Sequence, residues 1–384
     1  MTVASRRSVE APDRGVASLC IPGWSSRAPV GSPYAVGVLP GEGVGPEVVA
    51  AALTVLDAVA DTFGLGFDVR ISDELGPPGP YGRTLDQPAS RFFDQIFAAG
   101  APALCGAVSG RFVYELRARY ALYCKLVPVR PLAALADASI VRPERVDGVD
   151  VLIVRDNMGG LYQGGFGRRD GGRVAYQEAV YDADQVDRVL DVAVRAASVR
   201  RRRVAVITKS GGIPEVSALW RERASVAAEG TDIAIEEVEV DNACFQLVAD
   251  PRRFDVVAAP NMLGDVVADS AALVLGSRGM ALSANFGDDG RAVYQTGHGA
   301  AYDLAGKDRA NPVAQIQSLA MLLRESLELP DAARAVEHAV NSTLTAGDRT
   351  ADIAGPGSTV VGTRALAERI AANVSRNPVT SEAG

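Results

Sequence analysis

From Pro33 onward the chain alternates short apolar runs with stretches of helical periodicity, and that alternation confines it to α/β architectures. The first unit is the apolar run Tyr34-Ala-Val-Gly-Val-Leu39, followed by a helix that opens at Pro46-Glu47. Further along, Val186, Val189, Leu190, Val194 and Val199 fall close to helical spacing within residues 183–199. The strand-like Val204-Ala-Val-Ile207 follows at once, completing another α-to-β step. The expectation is an α/β fold with a mainly parallel sheet and flanking helices.

Composition narrows the function classes. A chain of 384 residues, 48% hydrophobic and 22% charged, is an ordinary globular sequence long enough for two domains. Its net charge of −8 argues against a nucleic-acid or anionic-membrane surface, which needs a clustered basic field. The dense basic block Arg200 to Arg203 reads as a solvated helix end, where positive charge meets the dipole favourably. Cys20, Cys105, Cys124 and Cys244 are scattered without a C-x-x-C pair or a histidine cluster, so neither a disulfide framework nor a zinc site is indicated and a reducing cytoplasm fits. No apolar run is long enough to span a bilayer. Residues 1–33 are rich in Ser, Arg, Pro and Gly without an apolar segment of signal-peptide type, and are expected to be a disordered tail.

Chemistry concentrates in Asn261-Met-Leu-Gly-Asp265-Val-Val-Ala-Asp269. On a helix, positions i and i+4 share a face, and two like charges placed there repel. A hard divalent cation such as Mg²⁺ or Mn²⁺ between Asp265 and Asp269 would resolve the conflict, since these ions prefer carboxylate oxygens and keep positions open for substrate. A pair of solvated acids near a helix start is the plainer alternative. A third acid, Asp241, follows the strand-like Ile235-Glu-Glu-Val-Glu-Val240. It reads either as a site acid at a strand end or as an ordinary turn residue.

Two glycine-rich segments carry less. Pro40-Gly-Glu-Gly-Val-Gly-Pro-Glu47 joins a strand to a helix, but its G-x-G-x-G spacing is not that of a Rossmann fingerprint. A tight turn with Pro46 near the first helical position explains it at least as well as a phosphate cradle. Gly164-Gly-Phe-Gly-Arg-Arg-Asp-Gly-Gly172 is flanked by Tyr162 and the β-prone Arg173-Val-Ala-Tyr176, and reads as a hairpin or arm.

Taken in order, these segments resemble the metal-dependent β-decarboxylating hydroxyacid dehydrogenases, which include the isopropylmalate, isocitrate, homoisocitrate and tartrate dehydrogenases. The resemblance runs from about residue 34 to 375. It is carried by the glycine-rich turn, Glu115-Leu-Arg-Ala-Arg119, Val154-Arg-Asp-Asn-Met-Gly-Gly-Leu-Tyr162, Thr208-Lys209, Val240-Asp241, Asn261 to Asp269, and His298 to Pro312. It implies a non-Rossmann cofactor site on a first domain, residues 34–122 plus 277–384. A central domain, 123–276, would carry the dimer contacts and the metal and substrate groups, with an exchanged arm at about 160–180. An isologous homodimer with shared active sites is implied.

The resemblance also assigns roles. Asp265 and Asp269 are similar to the metal-binding pair of one subunit, and Asp241 to the acid that reaches the same ion from the partner. Lys209 resembles the catalytic lysine, which a neighbouring cation would turn into a base, and Tyr162 resembles the acid that protonates carbon after carbon dioxide leaves. Arg117 and Arg155 match two substrate-binding arginines, while Val113 and Tyr114 would line the pocket for the substituent on the third carbon. His298, Gly299 and Asn311 resemble adenosine-side contacts. Asp303 could accept hydrogen bonds from a ribose but would repel a 2′-phosphate, which selects NAD.

Departures from the family pattern fall in the substrate pocket. The third arginine is absent, and the aligned residues are Lys125-Leu-Val127-Pro128. Losing a bidentate guanidinium removes up to two charge-assisted hydrogen bonds. In an extended strand Lys125 shares a face with Val127 whereas Arg130 points the other way, so Lys125 is the expected stand-in. Gln295 also stands where an acid is usual. The reading is an NAD-dependent enzyme using Mg²⁺ or Mn²⁺ to oxidise, with decarboxylation, a substituted malate-like 2-hydroxy acid. A catalytically idle regulatory or assembly paralogue is the alternative.

Overall fold

The computed structural model describes Leu19, Ile21 and residues 31–376. Twelve strands matter for the site. They are β1 (Tyr34–Leu39), β2 (Phe67–Ile71), β3 (Ala103–Cys105), β4 (Cys124–Val129), β5 (Val151–Asp156) and β6 (Phe166–Arg169). The rest are β7 (Val174–Gln177), β8 (Arg203–Thr208), β9 (Ala234–Glu239), β10 (Val256–Ala259), β11 (Leu282–Phe286) and β12 (Ala292–Thr296).

Ten of these strands form one sheet in the order β2-β1-β3-β12-β11-β4-β5-β10-β8-β9. Pairing is parallel in both outer portions and antiparallel across β12/β11, β11/β4 and β4/β5 at the centre. The expected mainly parallel α/β architecture is what the chain adopts. Every residue of β4 and of β5 is buried, in keeping with continuous apolar strands covered on both faces. The portion β2-β1-β3-β12-β11 draws on both ends of the chain. There the Gly45–Phe63, Val313–Glu325, Pro330–Thr345 and Thr363–Arg376 helices pack on one another.

Local chemistry explains the helix ends. Pro46 sits in the first turn of the Gly45–Phe63 helix, whose end is capped by Gly64 in a left-handed conformation at φ 63°. Asp182 accepts from the Gln185 N–H at 2.8 Å to start the Ala183–Ser198 helix. On that helix Val186, Val189 and Leu190 are buried, whereas Val199 lies just past its end and is exposed.

Two expectations change and a third holds. The strand expected through Val240 stops at Glu239, and Val240 and Asp241 open the Val240–Ala249 helix instead. The apolar alternation does not distinguish a strand end from a first helical turn. Of the expected disordered tail, residues 1–18, 20 and 22–30 lie outside the described residues. Leu19 and Ile21, however, are buried in the main core, and the Leu19 N–H donates to Glu325 Oε1 at 2.9 Å. Finally, the arm is a two-stranded antiparallel hairpin, β6 with β7, as anticipated, and its turn places Asp170, Gly171 and Gly172 at positive φ.

Candidate active site

Three cations meet at the centre of the sheet. Arg117 comes from the Phe112–Arg119 helix, Lys125 from β4 and Arg155 from β5, where Lys125 and Arg155 face each other in register. Their exposures are 4, 6 and 1% respectively. Arg155 donates to Asp265 Oδ1 and, at 2.9 Å, to Asn261 Oδ1. Among the described residues Arg117 and Lys125 have no ion-pair partner, and the Nε atoms of Arg117 and Arg155 are buried without a hydrogen bond. Burial, and then the neighbouring Arg155, lower the pKa of Arg117 to about 9. Burial, Arg155 and Arg117 lower that of Lys125 to about 7. Buried cations in excess of their carboxylates are costly unless an anion arrives. Arg130 plays no part here, because its Nε pairs with Asp150 at 2.7 Å.

Asp265 and Asp269 lie on the Asn261–Ala271 helix, as the i, i+4 spacing required. Gly264 makes this placement possible, since a Cβ there would stand 2.8 Å from Arg155 Cγ. Tyr162 donates to Asp265 Oδ2 at 3.1 Å, and burial together with that carboxylate pushes the Tyr162 pKa up to about 12. Burial opposes ionisation of Asp265, but Arg155, Lys125 and Arg117 outweigh it and hold the carboxyl below its usual range. Asp269 instead accepts from Arg278 at 2.8 Å.

Lys209 and Asp241 are joined to each other, not to this cluster. Lys209 Nζ donates to Asp241 Oδ1 at 2.8 Å and lies 3.5 Å from Glu239 Oε2. The hydrogen bond to Asp241 raises the lysine pKa, the opposite of the lowering expected for a base. Among the described residues no group of three His, Cys, Asp or Glu side chains could hold a metal ion. One chain therefore offers two carboxylates, Asp265 and Asp269, to a hard divalent ion. That donor chemistry fits Mg²⁺ or Mn²⁺, with the rest of the coordination left to other ligands.

Tyr114 packs edge-to-face on Tyr162 at 5.1 Å, and the guanidinium carbon of Arg111 lies 5.0 Å from the Tyr114 ring centroid. Val113 is half-buried and packs against the core cluster that holds Phe93, Phe112 and Leu116. On a short helix it sits one residue round from Tyr114 and follows the apolar side. Gln295, on β12, accepts from Asn285 Nδ2 at 3.3 Å.

A separate cavity of about 350 Å³ is lined by His298, Gly299 and Asn311 together with Val44, Arg278, Arg309 and Asp352 among others. Burial lowers the His298 pKa. Asn311 does two jobs: its Oδ1 accepts the Val313 N–H at 3.0 Å, as a cap does, and its Nδ2 donates to Asp352 at 3.0 Å. Asp303 is exposed and does not belong to the lining. It lies in the turn beside Leu304, which does. In the glycine-rich turn the N–H groups of Glu42, Val44 and Gly45 donate to Ala107, Ala300 and Glu42 carbonyls, as in a tight strand-to-helix turn. Gly43 is obligatory there, since a Cβ would come within 1.9 Å of Ala300 O.

Sequence reasoning missed Glu42, Arg111, Arg278 and Asp352. Glu42 accepts from Arg83 Nε at 2.5 Å and from the Ser109 N–H at 2.6 Å, locking the turn to the loop before Arg117. An acid enclosed by glycines was the available signal.

Comparison with known proteins agrees with this geometry. The isocitrate/isopropylmalate dehydrogenase family matches residues 35–370. The chain is 40% identical over 368 residues to a 3-isopropylmalate dehydrogenase of Gloeobacter violaceus, covering 90% of this chain and all of that one. A 3-isopropylmalate dehydrogenase of Synechococcus sp. (strain JA-3-3Ab) is 38% identical over 91% of this chain and 95% of its own length. In structure, the chain is similar to an isocitrate dehydrogenase from Methylococcus capsulatus, with a TM-score of 0.77 and 29% identity over 89% of this chain and 99% of that one. The chain belongs to the isocitrate/isopropylmalate dehydrogenase family and is a hydroxyacid dehydrogenase.

Proposed function

We propose that the protein oxidises, with decarboxylation, a substituted malate-like 2-hydroxy acid, using NAD and Mg²⁺ or Mn²⁺. The observation that carries this reading is the surplus of buried positive charge at Arg117, Lys125 and Arg155, which calls for a small polycarboxylate. Lys125 takes the place of the missing guanidinium, since Val127 is buried and apolar. It offers a point charge where an arginine would offer a fork, so a carboxylate there is held with less angular restriction.

A divalent ion on Asp265 and Asp269 would polarise the substrate's hydroxyl and adjacent carboxylate. Tyr162, kept protonated by its high pKa and its bond to Asp265, is a proton donor at neutral pH. Lys209 is the candidate base: the Asp241 bond raises its pKa, and engagement of Asp241 by a divalent ion of the neighbouring subunit would remove that bond and set a cation nearby. Phe245, Val266 and Leu273 expose large apolar side chains on or beside the packed Val240–Ala249 and Asn261–Ala271 helices. That face suits an isologous homodimer, in which Lys209 and Asp241 of each chain complete the other's site. The cavity around His298 and Asn311 is the proposed cofactor site, with Asp303 at its margin favouring NAD over a 2′-phosphorylated dinucleotide. As a domain division we adopt residues 34–122 with 277–384 for cofactor binding and 123–276 for dimerisation and catalysis. No described helix is long and apolar enough to cross a membrane, and we place the enzyme in the cytoplasm.

Incubation with NAD, Mn²⁺ and a panel of 3-substituted malates should produce NADH. Absence of NADH across a broad panel, from folded dimer that binds NAD, would favour the idle paralogue, a reading that draws on Val127 and Gln295.

A further inference from the structure

Arg278 stands between the anion-holding cluster and the cofactor cavity. Its guanidinium donates to Asp269 Oδ2 at 2.8 Å, and the same side chain lines the cavity of His298 and Asn311. Its charge is felt at His298 and that of Asp269 at Lys125, so one ion pair bridges the two regions. Both partners are more than half exposed, at 60 and 51%. Pairs of that kind are weak and readily exchanged.

A divalent cation on Asp269 would weaken the pair. The cation competes for the same carboxylate and repels the guanidinium at short range. A released Arg278 remains tethered at the cavity wall. Of the charged groups around it, Asp352 is already engaged: its Oδ2 accepts from Ser277 Oγ at 2.5 Å and Asn311 Nδ2 at 3.0 Å, and its Oδ1 accepts from Thr350 Oγ1 at 2.6 Å. Arg309, the other charged lining residue, is a cation. The remaining anion that could enter such a cavity is the dinucleotide, whose phosphates suit a guanidinium fork.

We propose that Arg278 is a phosphate-binding residue for the dinucleotide, parked on Asp269 until a divalent cation displaces it, so that metal and dinucleotide bind with positive cooperativity. The inference rests on the metal and cofactor sites assigned under the proposed function. Linkage requires the effect to be reciprocal: whatever factor Mn²⁺ adds to dinucleotide affinity, the dinucleotide adds to Mn²⁺ affinity.

The test is equilibrium binding to the intact protein at about 0.15 M salt, where through-space effects are screened. NADH affinity is read by fluorescence with and without Mn²⁺, and Mn²⁺ affinity by electron paramagnetic resonance with and without NADH. We expect a mutual enhancement of about 5-fold or more in the wild-type protein, within the usual span of coupling energies. Arg278→Gln should reduce it to below about 2-fold while both ligands still bind, and Arg278→Lys should retain part of it. An NADPH arm separates the phosphate sources. Coupling to both nucleotides assigns the pyrophosphate, and coupling to NADPH alone assigns the 2′-phosphate. Undiminished coupling in Arg278→Gln, or none in the wild type with either NADH or NADPH when metal and nucleotide both bind, overturns the role of Arg278. Failure of the wild type to bind either ligand overturns the site assignment beneath it.

Discussion

Lys125 and Arg155 occupy directly opposed positions on β4 and β5, so that an ammonium and a guanidinium lie side by side inside the protein. Arg155 has Asp265 and Asn261 as partners, while Lys125 has no ion pair among the described residues. Such an arrangement is destabilising on its own and becomes favourable when a carboxylate enters. Lys125→Met should therefore raise KM for a dicarboxylic substrate by about 10- to 100-fold, the worth of one charged hydrogen bond. Lys125→Arg should preserve affinity. Steady-state kinetics on both variants checks this.

The same lysine predicts a pH dependence. Burial and its cationic neighbours lower its pKa to about 7, so the charge is present below that value and lost above it. Affinity for an unreactive dicarboxylate, such as malonate, should weaken as pH rises through about 7 to 8, below the Arg117 pKa, because the carboxylates remain ionised while Lys125 gives up its proton. In Lys125→Arg the profile should be flat over that range. Calorimetric titration at several pH values reads both.

Gly264 is predicted to resist even alanine. Helix propensity alone would favour the replacement by about 1 kcal/mol. Against this, the added Cβ would sit 2.8 Å from Arg155 Cγ and 3.0 Å from the Ala259 Cβ. Overpacking of that kind costs about 1–3 kcal/mol, so Gly264→Ala should lower stability on balance. Urea unfolding of the two proteins gives the sign.

Glu42 ties the glycine-rich turn to the loop preceding Arg117. Burial opposes its ionisation, yet Arg83 and Ser109 outweigh burial and bring the pKa from 4.5 to about 2. Because the folded pKa is the lower one, the carboxylate stabilises fully above about pH 5 and loses its contribution as pH falls toward 2. The shift corresponds to about 3 kcal/mol at neutral pH. Glu42→Gln should remove most of this and flatten the acid limb of a stability-against-pH curve.

Periodicity and spacing made the α/β layout and the shared face of Asp265 and Asp269 legible, because both depend on local geometry. The likeness of ordered motifs then supplied roles that no spacing contains. What stayed hidden depends on distant partners. Nothing near Arg278 in the chain announces Asp269 or the cavity, and nothing near Glu42 announces Arg83. Val113 and Tyr114 are adjacent in sequence, yet one packs against the edge of a core cluster and the other onto Tyr162. The helical first turn at Asp241 was obscured because Val240 extends the strand's alternation by one residue.

On the proposed function, Asp265 and Asp269 of one chain share a divalent ion with Asp241 of the partner subunit. Mixing Asp241→Asn and Asp265→Asn proteins under conditions that reassort subunits, and then counting tight Mn²⁺ sites by electron paramagnetic resonance, tests it directly. Neither variant alone should hold the ion tightly. Random reassortment should restore about a quarter of the wild-type sites, since half the dimers are hybrids and each hybrid rebuilds one site of two. Tight Mn²⁺ binding by either variant alone, or none in demonstrated hybrids, would contradict the account.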